Sequence, residues 1–170
     1  MINTLAYFRY CPNCRLLLNN EPPRIANCQH CGFHLYLAPA ITNALILENR
    51  QGEILLTKRK LSPKKGYWDL PGGFVNFKET VEESLKREIK EELNLDIKKI
   101  IYFGSYWSYY PYKGINYQTL CLVFIASYVG GKIEIRDDVI DYRFFSKKDI
   151  DFKKISFDDV RNALKDYFKQ

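Results

Sequence analysis

The segment that most constrains this chain is a helix-forming stretch, Thr80 to Leu93, that places carboxylates where an apolar stripe should run unbroken. Thr80 and Glu83 form a capping-box pair at its start. At about 100° per residue, with Glu88 as origin, Val81, Leu85, Ile89 and Leu93 fall at roughly 20° to 140° and mark the face that packs on a core. Glu92 falls inside that stripe at about 40°, Glu88 sits at its edge, and Glu91 lies about 60° to the other side. Lys86, Lys90 and Glu83 cover the opposite face, and Glu82 and Glu83 read as cap and surface residues. A carboxylate within an apolar stripe is costly unless it is paired or bound to a cation. Glu88 and Glu92 are also i,i+4 neighbours whose like charges repel, and burial and repulsion both raise their pKa values. A hard divalent cation with oxygen ligands, such as Mg²⁺, removes both problems. The alternative is a Lys/Glu-rich surface helix in a slightly different register, and the helix alone leaves the two level.

The residues around the helix weigh on that choice. Gly73 is followed after five residues by Glu79, after seven by Arg87-Glu88-Ile89, and then by Glu91-Glu92 and Asn94-Leu95. This run resembles the Nudix box, with Asn94 standing where the family has Gly. That position ends the helix, and Asn is the next-best residue to Gly in left-handed geometry. Flanking resemblance extends over about residues 40–150.

The resemblance implies an α/β fold, the Nudix α/β/α sandwich with a mixed β-sheet, and Mg²⁺ or Mn²⁺ as cofactor. It implies Glu88 and Glu92 as the main metal ligands, Glu91 as ligand or support, and the Gly73 carbonyl as completing the coordination. Arg87 would orient a catalytic glutamate, and Glu79 would support the loop or a metal-linked water. Many members use an acid beyond the box. Asp138 is the candidate here, with Asp137 and Asp141 as rivals. The implied reaction is hydrolysis of a nucleoside diphosphate linked to a further moiety, in which metal ions neutralise the diphosphate and activate water.

Residues 1–37 differ from the rest, holding four of the five cysteines, both histidines and the breakers Pro12, Pro22 and Pro23. Cys11-Pro-Asn-Cys14 and Cys28-Gln-His-Cys31 form two CxxC knuckles with the spacing of a closed, structural Cys₄ zinc site. The expected layout is a zinc ribbon over 1–37 and a hydrolase domain over 38–170. His30 and His34 are not needed as ligands, and Cys121 reads as core. A ribbon directly before this domain resembles the NADH pyrophosphatases. Their downstream Ser-Gln-Pro-Trp-Pro-Phe-Pro element is matched in Ser105 to Pro111 only at Ser105 and Pro111, with Trp107 displaced by one.

Strands are expected at Ile41–Leu47, Glu53–Thr57, Tyr117–Tyr128, Ile133–Ile135 and Tyr142–Phe145, with a turn at Gly130-Gly131, and Trp68 to Val75 reads as a short strand running into a glycine turn. Phe157 to Phe168 reads as a terminal helix with Ser156 as N-cap. Between Tyr102 and Tyr117 lies an aromatic loop in which Tyr106, Trp107, Tyr109 and Tyr110 can stack a base. The same rings can equally form a lid or a homodimer contact. Lys58, Arg59, Lys64 and Lys65 are candidate phosphate contacts, with plain surface charge as the rival reading. The net charge of +6 suits anionic partners, nucleotides first and nucleic acid second.

No apolar stretch approaches the ~20 residues that span a bilayer, and Met1 to Tyr10 lacks the pattern of a signal peptide. The expectation is a cytoplasmic protein without a membrane partner. Two alternatives to the enzyme stay open: a nucleotide-binding or regulatory module that lost turnover, and an RNA-end-processing or RNA-binding protein.

Overall fold

The computed structural model describes residues 8–21, 25–130 and 132–169. The breakers Pro22 and Pro23, the second residue of the Gly130-Gly131 turn, and the chain start through Tyr7 lie outside the described residues. The chain divides into two compact units, Met1–Pro39 with Pro111–Tyr117, and Ala40–Tyr110 with Gln118–Gln170. The first contains an antiparallel sheet of β1 (Asn19–Glu21), β2 (Ile25–Asn27) and β3 (His34–Tyr36), in that order. Its small core is Cys11, Leu18, Ala26 and Cys28, with Phe33, Leu35 and Leu37 partly buried against them.

The second unit is built on β4 (Ala40–Ile46), β5 (Ile54–Arg59), β6 (Trp68–Asp69), α1 (Val81–Leu93), β7 (Asp96–Tyr112) up to Tyr110, β8 (Ile115–Gly130) from Gln118, β9 (Val139–Phe145) and α2 (Asp158–Tyr167). One sheet has the order β4-β8-β7 and the other β6-β5-β9. β4 runs parallel to β8, from Ala40 opposite Thr119 to Ile46 opposite Ile125, whereas β5 is antiparallel to both its neighbours. Side chains alternate across a strand, and here both faces are covered. Ala44, Ile46, Ile54, Leu56, Cys121 and Val123 face one way and pack with Val160, Ala163 and Leu164 of α2. Leu45, Leu47, Leu55, Phe124 and Ala126 face the other way and pack with Leu85, Ile89 and Leu93 of α1. That is the expected α/β/α arrangement with mixed strand directions. No described helix is long and apolar enough to cross a membrane.

One local expectation holds in detail and three are corrected. The short strand expected from Trp68 ends at Asp69 and runs into the expected glycine turn, where Pro71 lacks an N–H and Gly72 has φ 141°. Ile133–Ile135 is not a strand; the Glu134 and Arg136 amides donate instead to the Leu93 and Glu92 carbonyls, which lie beyond the reach of intrahelical partners. The aromatic stretch is not a loop. It lies on β7 and β8, joined by the two-residue turn Lys113-Gly114, whose residues both have positive φ. Finally, α2 begins at Asp158 with Phe157 as N-cap and no capping side chain, and Ser156 is buried one position too early to serve.

Candidate active site

The expected capping box fixes where α1 begins. The Glu83 amide donates to the Thr80 hydroxyl at 3.2 Å, and the Thr80 amide donates to the Glu83 carboxylate at 2.8 Å. At the other end Asn94 takes φ 57°, the left-handed geometry expected of it. From this start, seven residues bring Arg87 opposite the loop that carries Glu79. Its guanidinium donates to both Glu79 oxygens at 3.1 and 2.7 Å, to Glu88 at 2.7 Å and to Glu91 at 3.0 Å. It also reaches the Phe74 carbonyl and the Ser84 hydroxyl at 3.2 and 3.1 Å. All three of its nitrogens are thus engaged. The fork holds the Glu79 carboxyl down at about 2, with the Asn76 amide adding to the effect.

Glu92 is buried, and its carboxylate accepts one hydrogen bond, from the Gly72 amide at 3.1 Å. Burial pushes its pKa well above the usual carboxylate range, and the charges of Glu88 and Asp69 push the same way. Glu88 is also raised, chiefly by burial, against the pull of Arg87. The two glycines ahead of the helix explain themselves by contact. A Cβ on Gly72 would lie 2.4 Å from the Asn43 carbonyl oxygen, and one on Gly73 would lie 2.5 Å from the Glu88 carboxyl carbon. The Gly73 carbonyl accepts the Asn43 amide at 2.9 Å, which occupies one of its two lone pairs.

Glu88, Glu91, Glu92, Arg87 and Gly73 line one cleft of about 350 Å³. Asp137 and Asp138 line it as well, and Asp137 is close enough for its charge to raise Glu88. Asp141 does not line it; it sits on β9 opposite Lys58, 3.4 Å from Arg143. Of the candidate cations only Arg59 lines the cleft, while Lys58 lies over the Trp68 ring and Lys64 over Tyr67. Arg59 is held by the Pro63 carbonyl at 3.0 Å, by Asp69 at 3.1 Å and by the face of Phe157.

Of the four candidate stacking rings, Tyr110 borders the cleft and Tyr109 a smaller cavity beside it. Tyr106 is corrected: its ring packs on the α2 side of the core and its hydroxyl donates to Asp166 at 3.4 Å. Trp107 is exposed, edge-on to Tyr109, and lines neither space. Two residues missed by sequence reasoning are Asp69 and Asp159, both buried and both lining that cavity. Nothing in their neighbourhoods along the chain marks them, because β6, paired with β5, and helix α2 bring them there.

In the first unit the four candidate cysteine sulfurs all lie within 4.8 Å of one another. Cys11 and Cys31 are 3.6 Å apart and Cys14 and Cys28 3.4 Å, far from disulfide bonding. Each knuckle turns alike, with the residue after its second cysteine, Arg15 or Gly32, at positive φ. In each, the first cysteine's amide donates to the carbonyl five residues on, Leu16 or Phe33. His34 is engaged with the Gly32 carbonyl at 2.8 Å. Among the described residues no carboxylate trio converges as closely as these thiols.

Comparison with known proteins follows this division of the chain. Residues 39–166 match the NUDIX domain family. The chain is 39% identical over 137 residues to an ADP-ribose pyrophosphatase of Methanocaldococcus jannaschii, covering 81% of this chain and 78% of that one. It is 34% identical over 143 residues to the NAD-capped RNA hydrolase NudC of Haemophilus influenzae, covering 81% of this chain and 51% of that one. The chain therefore spans about half the length of that relative. A NUDIX hydrolase from Nitrosomonas europaea shares the fold, with a TM-score of 0.68 at 24% identity over 95% of this chain and 90% of that one.

Proposed function

The chain belongs to the NUDIX family of hydrolases, and from this we propose that it is a divalent-metal-dependent pyrophosphohydrolase cleaving the diphosphate linkage of a nucleoside diphosphate derivative, ADP-ribose or a dinucleotide first among them. The observation that carries the reading is Glu92. It is a buried carboxylate whose one hydrogen-bond partner among the described residues is the Gly72 amide, beside a second raised carboxylate, in a cleft open to substrate. An all-oxygen donor set whose members are destabilised by burial and mutual repulsion is suited to Mg²⁺ or Mn²⁺. Glu88 and Glu92 would hold the ion, with Glu91 and the free lone pair of the Gly73 carbonyl in support. When bound, the ion supplies charge neutralisation at the diphosphate and a water of lowered pKa.

The remaining roles belong to the chain's own side chains. Arg87 keeps Glu79, Glu88 and Glu91 on one fork, engaging both oxygens of Glu79 and one each of Glu88 and Glu91. Asp138 is assigned as the acid beyond the box, with Asp137 as its rival at the same rim. Arg59 keeps N–H groups free after its contacts with Asp69 and Pro63, and meets the diphosphate. Tyr110 stacks the base, and exposed Trp107 suits a homodimer contact.

The four thiols would hold a structural Zn²⁺. With Zn–S near 2.3 Å, tetrahedral sulfurs lie ~3.8 Å apart, close to the observed pairs. We assign residues 1–37 to this ribbon and 38–170 to the hydrolase domain. Reduced thiols agree with a cytoplasmic setting.

Incubation with Mg²⁺ and a panel of ADP-ribose, NADH, FAD, dinucleoside polyphosphates, nucleoside triphosphates and NAD-capped RNA tests the reading. Turnover of at least one member is expected, falling by two or more orders of magnitude in Glu92→Gln. No turnover of any member, or equal turnover by the variant, supports the non-catalytic binding module instead.

A further inference from the structure

We infer that Asn43 is a positioning residue for the carboxylate site, its buried side-chain amide fixing how far helix α1 stands from the Gly73 peptide. The inference rests on the hydrolase reading above and deepens it, since Gly73 and Glu88 are two of the groups assigned there to the metal ion.

Asn43 occupies a position that calls for an apolar side chain. On β4 it continues the row of Leu45 and Leu47, which face α1, and it is 3% exposed. A buried primary amide is costly unless its donors and acceptor are met. Here they are met by the two segments that carry the site. The side-chain Nδ2 donates to the Ser84 hydroxyl on α1 at 2.9 Å. The side-chain oxygen accepts the Gly73 amide at 3.4 Å, and the Asn43 amide donates to the Gly73 carbonyl at 2.9 Å. One residue thus holds both the N–H and the C=O of Gly73. Because the Gly73 N–H can only donate, it also fixes which end of the side-chain amide is the oxygen.

Backbone pairing ties the glycine loop to the strand but leaves the helix free. The Leu45 amide donates to the Pro71 carbonyl at 2.9 Å and the Val75 amide to the Ile41 carbonyl at 3.1 Å, so residues 71–75 lie along β4 whatever side chain stands at position 43. The helix is tied in by Ser84. Its hydroxyl donates to the Phe74 carbonyl at 3.2 Å and accepts from Asn43 and, at 3.1 Å, from Arg87. Ser84 lies one turn before Glu88 on the same face of α1. Gly73 packs so closely on the Glu88 carboxyl that a Cβ there would lie 2.5 Å from its carbon. The Asn43–Ser84 bond therefore sets the spacing between the Gly73 carbonyl and the Glu88 carboxylate. Mg²⁺ demands near-ideal geometry of its oxygen ligands, so a small drift of the helix weakens the site. Loss of a partner behind a metal ligand typically costs about 10–100-fold in metal affinity.

Asn43→Leu keeps the size and removes both side-chain bonds, and Ser84→Ala removes the hydroxyl at the other end of the link. Mn²⁺ binding to the substrate-free protein, read by electron paramagnetic resonance against Glu92→Gln as the blank, reports the ion site without turnover. The Mg²⁺ concentration that half-saturates hydrolysis reports it with turnover. Both are expected to weaken about tenfold or more in each variant, while substrate KM at saturating Mg²⁺ changes less than about twofold. Because both changes break one link, the double variant should lose less than the product of the two single losses. Melting curves confirm folding, and Ser84→Ala decides alone if Asn43→Leu does not melt cooperatively. Unchanged Mn²⁺ binding in the folded variants, a KM that rises in step with the Mg²⁺ requirement, or losses that multiply in the double variant overturn the inference and leave the hydrolase. Weakened Mn²⁺ binding in the variants of a protein that hydrolyses no panel member sinks the hydrolase and leaves the positioning role. Wild-type protein that binds no Mn²⁺ and hydrolyses nothing sinks both.

Discussion

Glu92 shows how a single residue can oppose stability in the service of a site. Its carboxyl is raised by burial in the metal-free protein, so the folded state holds a proton that the unfolded state releases. The favourable contribution of the protonated group is complete below the unfolded value near 4.5 and is lost as pH rises towards the folded value. Above that, an ionised Glu92 works against folding. Glu92→Gln removes the charge and keeps an oxygen for the Gly72 amide. In chelator at pH ~8 the variant should therefore be more stable than wild type by about 1–2 kcal/mol. That is a rise in Tm of roughly 2–8 °C, and the difference should close towards pH 4. A lower Tm for the variant at pH 8 would show that its burial is not the dominant influence. This residue was legible from sequence because a helical wheel needs only the local period. Asp69 and Asp159 were not, since their burial depends on which strand and helix come to lie beside them. Tyr106 and Tyr110 are of the same residue type and four positions apart, and only the finished packing puts one on the core and the other at the cleft.

At the scale of elements, α1 was readable because its boundaries are set by local chemistry. Thr80 and Glu83 exchange hydrogen bonds within one turn, and Asn94 closes the other end in left-handed geometry. Thr80→Ala should remove the hydroxyl acceptor of the Glu83 amide at a cost of ~1 kcal/mol, lowering Tm by about 2–4 °C. Turnover should remain near wild type, because Thr80 belongs to neither the Arg87 fork nor the carboxylate pair; a large loss of kcat would mean that the helix start positions the site. Elements whose limits depend on distant partners were less legible. The apolar alternation of Ile133 to Ile135 matches a strand, but the open carbonyls at the end of α1 draw its neighbouring amides away from any sheet. Ser156 has the chemistry of an N-cap, yet Trp68 binds its amide and holds it in the core, and α2 starts two residues later. The aromatic stretch carried a turn signal, Lys113-Gly114, that the density of rings obscured.

The two units differ in how each can hold itself together. The second has two apolar clusters, one under each helix. Among the described residues the first has four buried core residues, and two of them, Cys11 and Cys28, belong to the thiol cluster. So small a core cannot offset the entropy of ordering the segment, whereas a bound metal contributes its binding energy to the folded state directly. Zinc removal should therefore loosen the first unit selectively. Freshly prepared, chelator-free protein should contain about one zinc per chain. After the zinc is stripped with a chelator and a thiol reagent, limited proteolysis should cut within residues 8–37. The part from Ala40 onward should stay resistant and, once Mg²⁺ is restored, keep turning over the best substrate of the panel. Cys28→Ser should show the same susceptibility without any chelator, which separates metal loss from effects of the reagent. Zinc near zero in the untreated protein, or a first unit that resists protease equally with and without metal, would mean that something other than a tetrathiolate metal site holds these knuckles in place.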